Sequence, residues 1–469
     1  MTHDDDVRPH VSGEALSDPP LVAATAPESP AARSGAAGSG PAFAEFAHGT
    51  LPEWALVRQR LGTAGIDDVR AAVRAALEPV LGPMGPGVRV CIAAGSRGID
   101  RIDEVVRATV ERVRETGAAV FIVPAMGSHG GATPEGQLEV LASYGITPAT
   151  MGCEIRSSLE TVELGEVRPG VPVFVDRHAY EEADLIIPVN RVKPHTDFSG
   201  EIESGLAKMI AIGLGKQKGA DTFHRQGFAV FHELIPEVAA FSLAHVPIPF
   251  GLALVENGQA RLARIEAVPA DRILAREREL LAEARAAMAR IPLAEIDVLV
   301  LDAIGKDISG LGMDSNVVGR YYAGPTGEPP FVQRIVVRGL TPETEGNAVG
   351  IGMADVALRG AVEAIDRHKT YMNCITAKTP EGARIPLTVE TDRDALAVAI
   401  AACLRVTPET ARIVRARDTK HLELLYVSVP LLPELLGVGC ELVEPPHPIR
   451  FDAHGMFLEE VPQGGAPRA

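Results

Sequence analysis

Four short stretches of this 469-residue chain gather ionisable side chains among glycines, each directly after an apolar run. The first, GSRGIDR (95–101), carries Arg97 and Arg101. A guanidinium there can grip a carboxylate through two parallel hydrogen bonds, the plainer alternative being a solvated arginine at a helix start. GSHGGATPEG (127–136) sets His129 among glycines that let backbone approach a ligand closely. Histidine titrates near neutral pH, which suits it to acid/base or ligand duty. The densest stretch, 189–227, holds His195, His224 and the lysines Lys193, Lys208, Lys216 and Lys218. Lys208 falls inside the apolar LAKMIAIG, where desolvation would lower its pKa and make the amine nucleophilic, unless it snorkels to water. DAIGKDISGLGMDSN (302–316) adds Lys306 and Asp307. Paired across a cleft, Lys306 and Arg97 would fix a substrate carboxylate.

Placing these stretches in one site requires a particular scaffold. VRVCIAAG (88–95) and AVFIVPAMG (119–127) are continuous apolar runs, each followed by a helical pattern, and DLIIPVN (184–190) is a third run. Strands alternating with helices imply a parallel sheet covered on both faces. Thr133 and Pro134 mark a helix start by their N-cap and first-turn preferences. A shorter strand is expected at 172–176, and 204–215 is apolar but punctuated by glycine. A second alternating region opens at IDVLVLD (296–302) after an Ala/Arg/Glu-rich helix over 271–290. The expected fold is α/β with two domains, each a mostly parallel sheet flanked by helices. The bounds are a disordered tail over 1–45, an N-terminal domain over 46–265, a linking helix over 266–295 and a C-terminal domain over 296–460. Ligands of such sheets gather beyond the carboxyl ends of the strands, so the active site is expected in the interdomain cleft.

Composition narrows the chemistry. Lys+Arg 45 against Asp+Glu 62 gives a formal charge of −17, and aromatic residues are 4%. Such a field repels polyanions and offers few stacking platforms, so nucleic acid is excluded as a general partner. No apolar run reaches the roughly 20 residues that span a bilayer, and no apolar leader follows Met1, so a cytoplasmic protein without a membrane partner is expected. The five cysteines are scattered and never spaced CxxC, which argues against disulfide scaffolds and cysteine-rich metal sites. GxGxxG after the first strand, Walker A, GxSxG and HExxH are all missing.

PAMGSHGGAT, NRVKPHTDFSG and GKDISGLGMD together resemble the nickel-pincer lactate racemase family and its 2-hydroxyacid racemase and epimerase relatives, over roughly 95–319. The resemblance implies an isomerase acting at C2 of a small 2-hydroxycarboxylate. It implies nickel and a pyridinium-derived nickel-pincer mononucleotide tethered to a lysine, with cofactor-maturation proteins as partners. By motif, His129 and His195 resemble the acid/base pair, Lys208 the tethering lysine and His224 the nickel ligand. Arg97 and Lys306 resemble the carboxylate-binding cations, and Ser199 and Gly200 resemble part of the loop holding the cofactor phosphate. The segment between His195 and Lys208 is longer than the family pattern, which keeps Lys216 and Lys218 open as attachment points. The only tryptophan is Trp54, so an aromatic wall from the second domain's tryptophan is missing. Two other readings stay open: a divalent-metal hydrolase or lyase using His129, His195 and His224, and a non-catalytic carboxylate-binding protein.

Overall fold

Strand β1 (Trp54–Arg58) precedes β2 (Arg89–Ala94), the first of the apolar runs. Along β2, Cys91 and Ala93 face one buried cluster, while Val90, Ile92 and Ala94 face another. Successive residues of a strand point to opposite faces, so a run buried throughout has cover on both sides. The computed structural model describes residues 43–46, 49–62, 64–95, 98–322 and 324–463. The tail expected over 1–45 falls almost wholly outside the described residues. Those described belong to one compact unit, Pro41–Ala469.

The first sheet has six strands in the order β4-β3-β2-β5-β6-β7. They are β3 (Ala119–Pro124), β4 (Glu154–Ile155), β5 (Leu185–Arg191), β6 (Phe250–Glu256) and β7 (Leu262–Pro269), with β2 inside. All neighbours are parallel except the β6–β7 pair. Helix α1 (Ile102–Arg114) follows β2, and α2 (Pro134–Ser143) follows β3. The start of α2 is as the sequence anticipates, with Thr133 Oγ1 accepting the Gly136 N–H at 3.0 Å. The strand expected at 172–176 forms as Val171–Asp176, but it pairs only with Thr161–Arg168 in a separate hairpin. The glycine-punctuated stretch becomes a short turn, α3 (Leu206–Lys208), running into a π-helical turn at Met209–Gly213. It is followed by α4 (Lys216–Gln226) and α5 (Phe231–His245). Helix α6 (Ile273–Ala287) buries Ile273, Leu280, Leu281 and Ala284 in the cluster that covers one face of this sheet.

The second sheet has eight strands in the order β11-β10-β9-β8-β12-β13-β1-β14. Its strands are β8 (Glu295–Leu301), β9 (Phe331–Val337), β10 (Val356–Leu358), β11 (Leu387–Val389), β12 (Ile413–Ala416), β13 (Leu424–Ser428) and β14 (Glu441–His447). The β11-to-β12 part is parallel, and the β12-to-β14 part is antiparallel. Strand β1 thus joins the sheet formed by residues far downstream, with Trp54 opposite Ser428. Trp54 is buried there and stacks on Tyr426, ring centroids 4.7 Å apart, so it serves the core. Two further helices of this half are α7 (Ser315–Val318) and α8 (Arg367–Ala377). The fold is α/β with sheets flanked by helices, as expected. All five cysteines are free and buried. Among the described residues, no single helix is long and apolar enough to cross a membrane.

Candidate active site

The loops that leave the carboxyl ends of parallel strands converge on one cavity of about 250 Å³. Gly95 comes from the end of β2, Met126 and His129 from β3, Lys193 and His195 from β5, and Asn257 from β6. From the second sheet come Lys306 after β8 and Thr419 and Lys420 after β12. In the first sheet the chain runs outward from β2 through β3 to β4, then restarts at β5 on the other side of β2. The neighbouring loops diverge at that switch and leave a crevice. Gly95 sits in it with little room, since a Cβ there would lie 3.0 Å from Met209 Cε and 3.3 Å from Asn190 Oδ1.

His195 is buried and held from three sides. Its N–H donates to Glu203 Oε2 at 2.6 Å, its carbonyl accepts from Asn316 Nδ2 at 3.0 Å, and its ring stacks on Phe198 at 4.4 Å. The Asp197 N–H donates to His195 Nδ1 at 3.1 Å, and His195 Nε2 lies 2.5 Å from Lys208 Nζ. Two nitrogens that close cannot both carry a proton toward each other, so one of them presents a lone pair. Lys208 itself is half-buried at the end of α3, while its neighbours Ala207 and Met209 are buried. The π-helical turn beyond it is a rare geometry that often accompanies functional sites.

His129 lines the cavity at the mouth of the loop before α2, and the buried Gln137 side chain donates to the carbonyls of Gly127 at 3.0 Å and His129 at 3.4 Å. Lys306 reaches the cavity from the second sheet with Nζ donating to the Gly310 carbonyl at 2.9 Å. Four of the residues expected at the site therefore line one cavity: His129, His195, Lys208 and Lys306.

The remaining expectations fare differently. Arg97 lies outside the described residues. His224 stands off the cavity on α4, between Phe228 and Phe231 at ring distances of 5.5 and 5.6 Å. Its Nδ1 is buried without a hydrogen-bond partner. Burial first, then the positive charges of Lys208 and Lys378, lower its pKa to about 4 against a partial pull from Asp221. His224 is therefore neutral at ordinary pH, the form in which imidazole ligates a metal. Ser199 and Gly200, expected in a phosphate loop, do not line the cavity. Ser199 is exposed, and the Gly200 N–H is taken by Glu203 Oε1 at 2.7 Å. Of the alternative lysines, Lys218 is exposed and Lys216 is fully buried against Asp176, so neither lines the cavity. Among the described residues, no three His, Cys, Asp or Glu side chains are placed to hold a metal together.

Sequence reasoning did not assign Gln137, Asn316, Thr419 or Lys420. RDTKH (417–421) follows ARIVRA, which Arg412 and Arg415 interrupt, so no continuous apolar run marked the strand end before Thr419 and Lys420. Gln137 and Asn316 carry no local signal, because their partners lie on other loops.

Residues 67–233 match the family model of the lactate racemase N-terminal domain. That span holds His129, His195, Lys208 and His224. No curated protein matches the sequence. Among solved structures, the lactate racemase apoprotein from Thermoanaerobacterium thermosaccharolyticum is similar at 14% identity, covering 78% of this chain and 89% of that chain with a TM-score of 0.40. Over residues 67–233, where the histidines and Lys208 of the site reside, this chain is similar to the lactate racemase N-terminal domain.

Proposed function

We propose that this chain is a racemase or epimerase that inverts C2 of a small 2-hydroxy acid with a nickel-pincer mononucleotide. The observation that carries the reading is the 2.5 Å contact of Lys208 Nζ with His195 Nε2, in the cavity that His129 and Lys306 also line. The donor chemistry suits the cofactor. His224 offers one neutral, buried and unpartnered ring nitrogen. With no set of three protein donors among the described residues, a metal at His224 would draw its other donors from a bound group. Lys208 would tether that group and His224 would ligate its nickel. When bound, the group supplies a hydride acceptor that can return the hydride to either face of C2.

The chain's own residues supply binding and proton transfer. Lys306, with Arg97, holds the substrate carboxylate and fixes C2 between the histidines. One of His129 and His195 takes the C2 hydroxyl proton, and the other, protonated beforehand, gives its own proton to the oxygen when C2 is reduced from the opposite face. Histidine suits a reversible exchange because its ordinary pKa lies near working pH. Taking the hydroxyl proton while C2 loses hydride avoids a carbanion beside a carboxylate that is already negative.

Protein matured in a nickel-replete host with its cofactor-maturation proteins tests this. One enantiomer of lactate or another short 2-hydroxy acid should lose optical rotation, and peptide mapping should find the adduct on Lys208. Nickel-loaded protein that racemises no short 2-hydroxy acid would overturn the activity. An adduct on Lys216 or Lys218 would overturn the attachment.

A further inference from the structure

Lys216 opens α4, the helix that carries His224, in a left-handed conformation with φ of 53°. Its side chain is fully buried, and so is Asp176, whose Oδ2 lies 2.8 Å from Lys216 Nζ. The same ammonium donates to the Pro124 carbonyl at 2.5 Å and to Gln137 Oε1 at 3.4 Å. Gln137, also fully buried, then turns its Nε2 to the carbonyls of Gly127 and His129. One cation thus reaches the last residue of β3 directly and the loop beyond it through Gln137. Asp176 anchors the other side, with Oδ1 accepting the Ala179 N–H at 2.9 Å.

Stability alone gives no reason for this arrangement. A left-handed backbone costs a residue with a Cβ roughly 1–2 kcal/mol. Buried ion pairs are often replaced by apolar side chains of similar volume with no loss of stability. What an ammonium adds, and a methyl group cannot, is directional donation to several acceptors at once. Here those acceptors brace both ends of the segment 124–129.

We propose that Lys216 and Gln137 are positioning residues for His129: together they hold its loop against α4, so that imidazole and α4 keep a fixed relation. The role assigned to His129 rests on the racemase reading, whereas the bracing does not. Neither residue touches substrate. Their effect is on where His129 is presented, and a displacement of about 1 Å can cost on the order of 100-fold in rate.

The test uses the full chain with the double substitution Lys216→Met/Asp176→Asn, which removes the charge pair together and keeps an acceptor for Ala179. A second variant, Gln137→Met, leaves the pair intact and cuts only its link to the loop. The first readout is amide hydrogen exchange over 127–131 in protein without cofactor, alongside the thermal midpoint. In both variants, exchange should accelerate in that segment at least tenfold more than the general acceleration that any fall of the midpoint produces elsewhere in the chain. In matured protein, kcat should fall roughly tenfold to a hundredfold with KM little changed. Unchanged exchange in Gln137→Met overturns the proposal, and so does a fall in stability that accounts for faster exchange everywhere. Faster exchange confined to the loop, in a protein that racemises nothing even unaltered, upholds the bracing and overturns the racemase reading instead. Should the double variant fail to fold, Gln137→Met decides alone.

Discussion

At the residue scale, the His195–Lys208 contact decides most. Attachment through Lys208 needs an unprotonated amine. With the Asp197 N–H on His195 Nδ1, a neutral ring carries its proton on Nε2 and presents it to a lone pair on Lys208 Nζ, 2.5 Å away. Lys208→Arg keeps a cation in place yet cannot form the tether. It should retain the fold, measured by an unchanged thermal midpoint, and show no adduct by intact mass. An adduct of unchanged mass in Lys208→Arg would move the attachment elsewhere. The residues that touch the cavity were legible because strand-end loops announce themselves as glycine and charge after an apolar run. Those that hold them were not. Glu203 lies in the same stretch as His195, but its buried carboxylate gathers the His195 and Gly200 N–H groups and Arg285 of α6. The Arg285 part of that convergence depends on where α6 lies, and no local pattern encodes it.

At the element scale, α3 depends on a carboxyl from α6. Glu277 is fully buried, with Oε2 accepting the Ala207 N–H at 2.9 Å at the start of the turn that ends in Lys208. Burial pushes its pKa up to about 7, against the opposing effect of the Ala207 and Leu206 N–H groups. The folded state therefore binds this proton more tightly than the unfolded chain does. The stability it contributes is fully present below the ordinary carboxylate pKa and is lost as pH rises through about 7. Glu277→Gln removes the titration, so denaturant unfolding should show a shallower loss of stability between pH 5 and pH 8 than in the unaltered chain. The difference should be on the order of 3 kcal/mol. Equal pH slopes would contradict the assignment. Gly205→Ala should also destabilise the turn, because a Cβ there would lie 2.2 Å from Glu277 Oε1. In the sequence, Glu277 stands four residues after Ile273 and four before Leu281, on the apolar stripe of its helix. That was a readable sign of a buried carboxyl. Its partner was not readable.

At the scale of the whole molecule, the cavity wall is assembled from both sheets, and few hydrogen bonds join the His195 loop to the second sheet. Ser315 Oγ donates to the Thr196 carbonyl at 2.6 Å, Asn316 Nδ2 donates to the His195 carbonyl, and Lys193 Nζ lies 3.4 Å from Asp314 Oδ2. Lys378 Nζ, just past α8, approaches Asp221 Oδ1 on α4 at 3.8 Å. Ser315→Ala leaves a buried carbonyl without its donor and should cost roughly 1–3 kcal/mol in denaturant unfolding. Asn316→Ala should lower kcat more than it raises KM, because it frees the backbone of His195. An effect on KM alone would place Asn316 in substrate binding. Burial on two faces leaves the apolar runs of β2, β3 and β5 that made the first parallel region legible, whereas in the second region Gln333 and Arg334 break β9 and Arg415 breaks β12. Strand β1 escaped that logic: WALVR pairs with Leu424–Ser428 and Glu441–His447, hundreds of residues away. No local periodicity encodes such a partner.

The claim on which these expectations depend is that His129 and His195 serve opposite faces of one substrate carbon. Loss of optical rotation should be followed in matured His129→Ala and His195→Ala, with nickel per chain measured on the same samples. The account predicts that both keep nickel and lose racemisation by about 10²–10⁴-fold, while His224→Ala loses nickel. Either histidine variant retaining activity within about threefold of the unaltered enzyme would contradict it, as would loss of nickel from His129→Ala or His195→Ala with retention in His224→Ala.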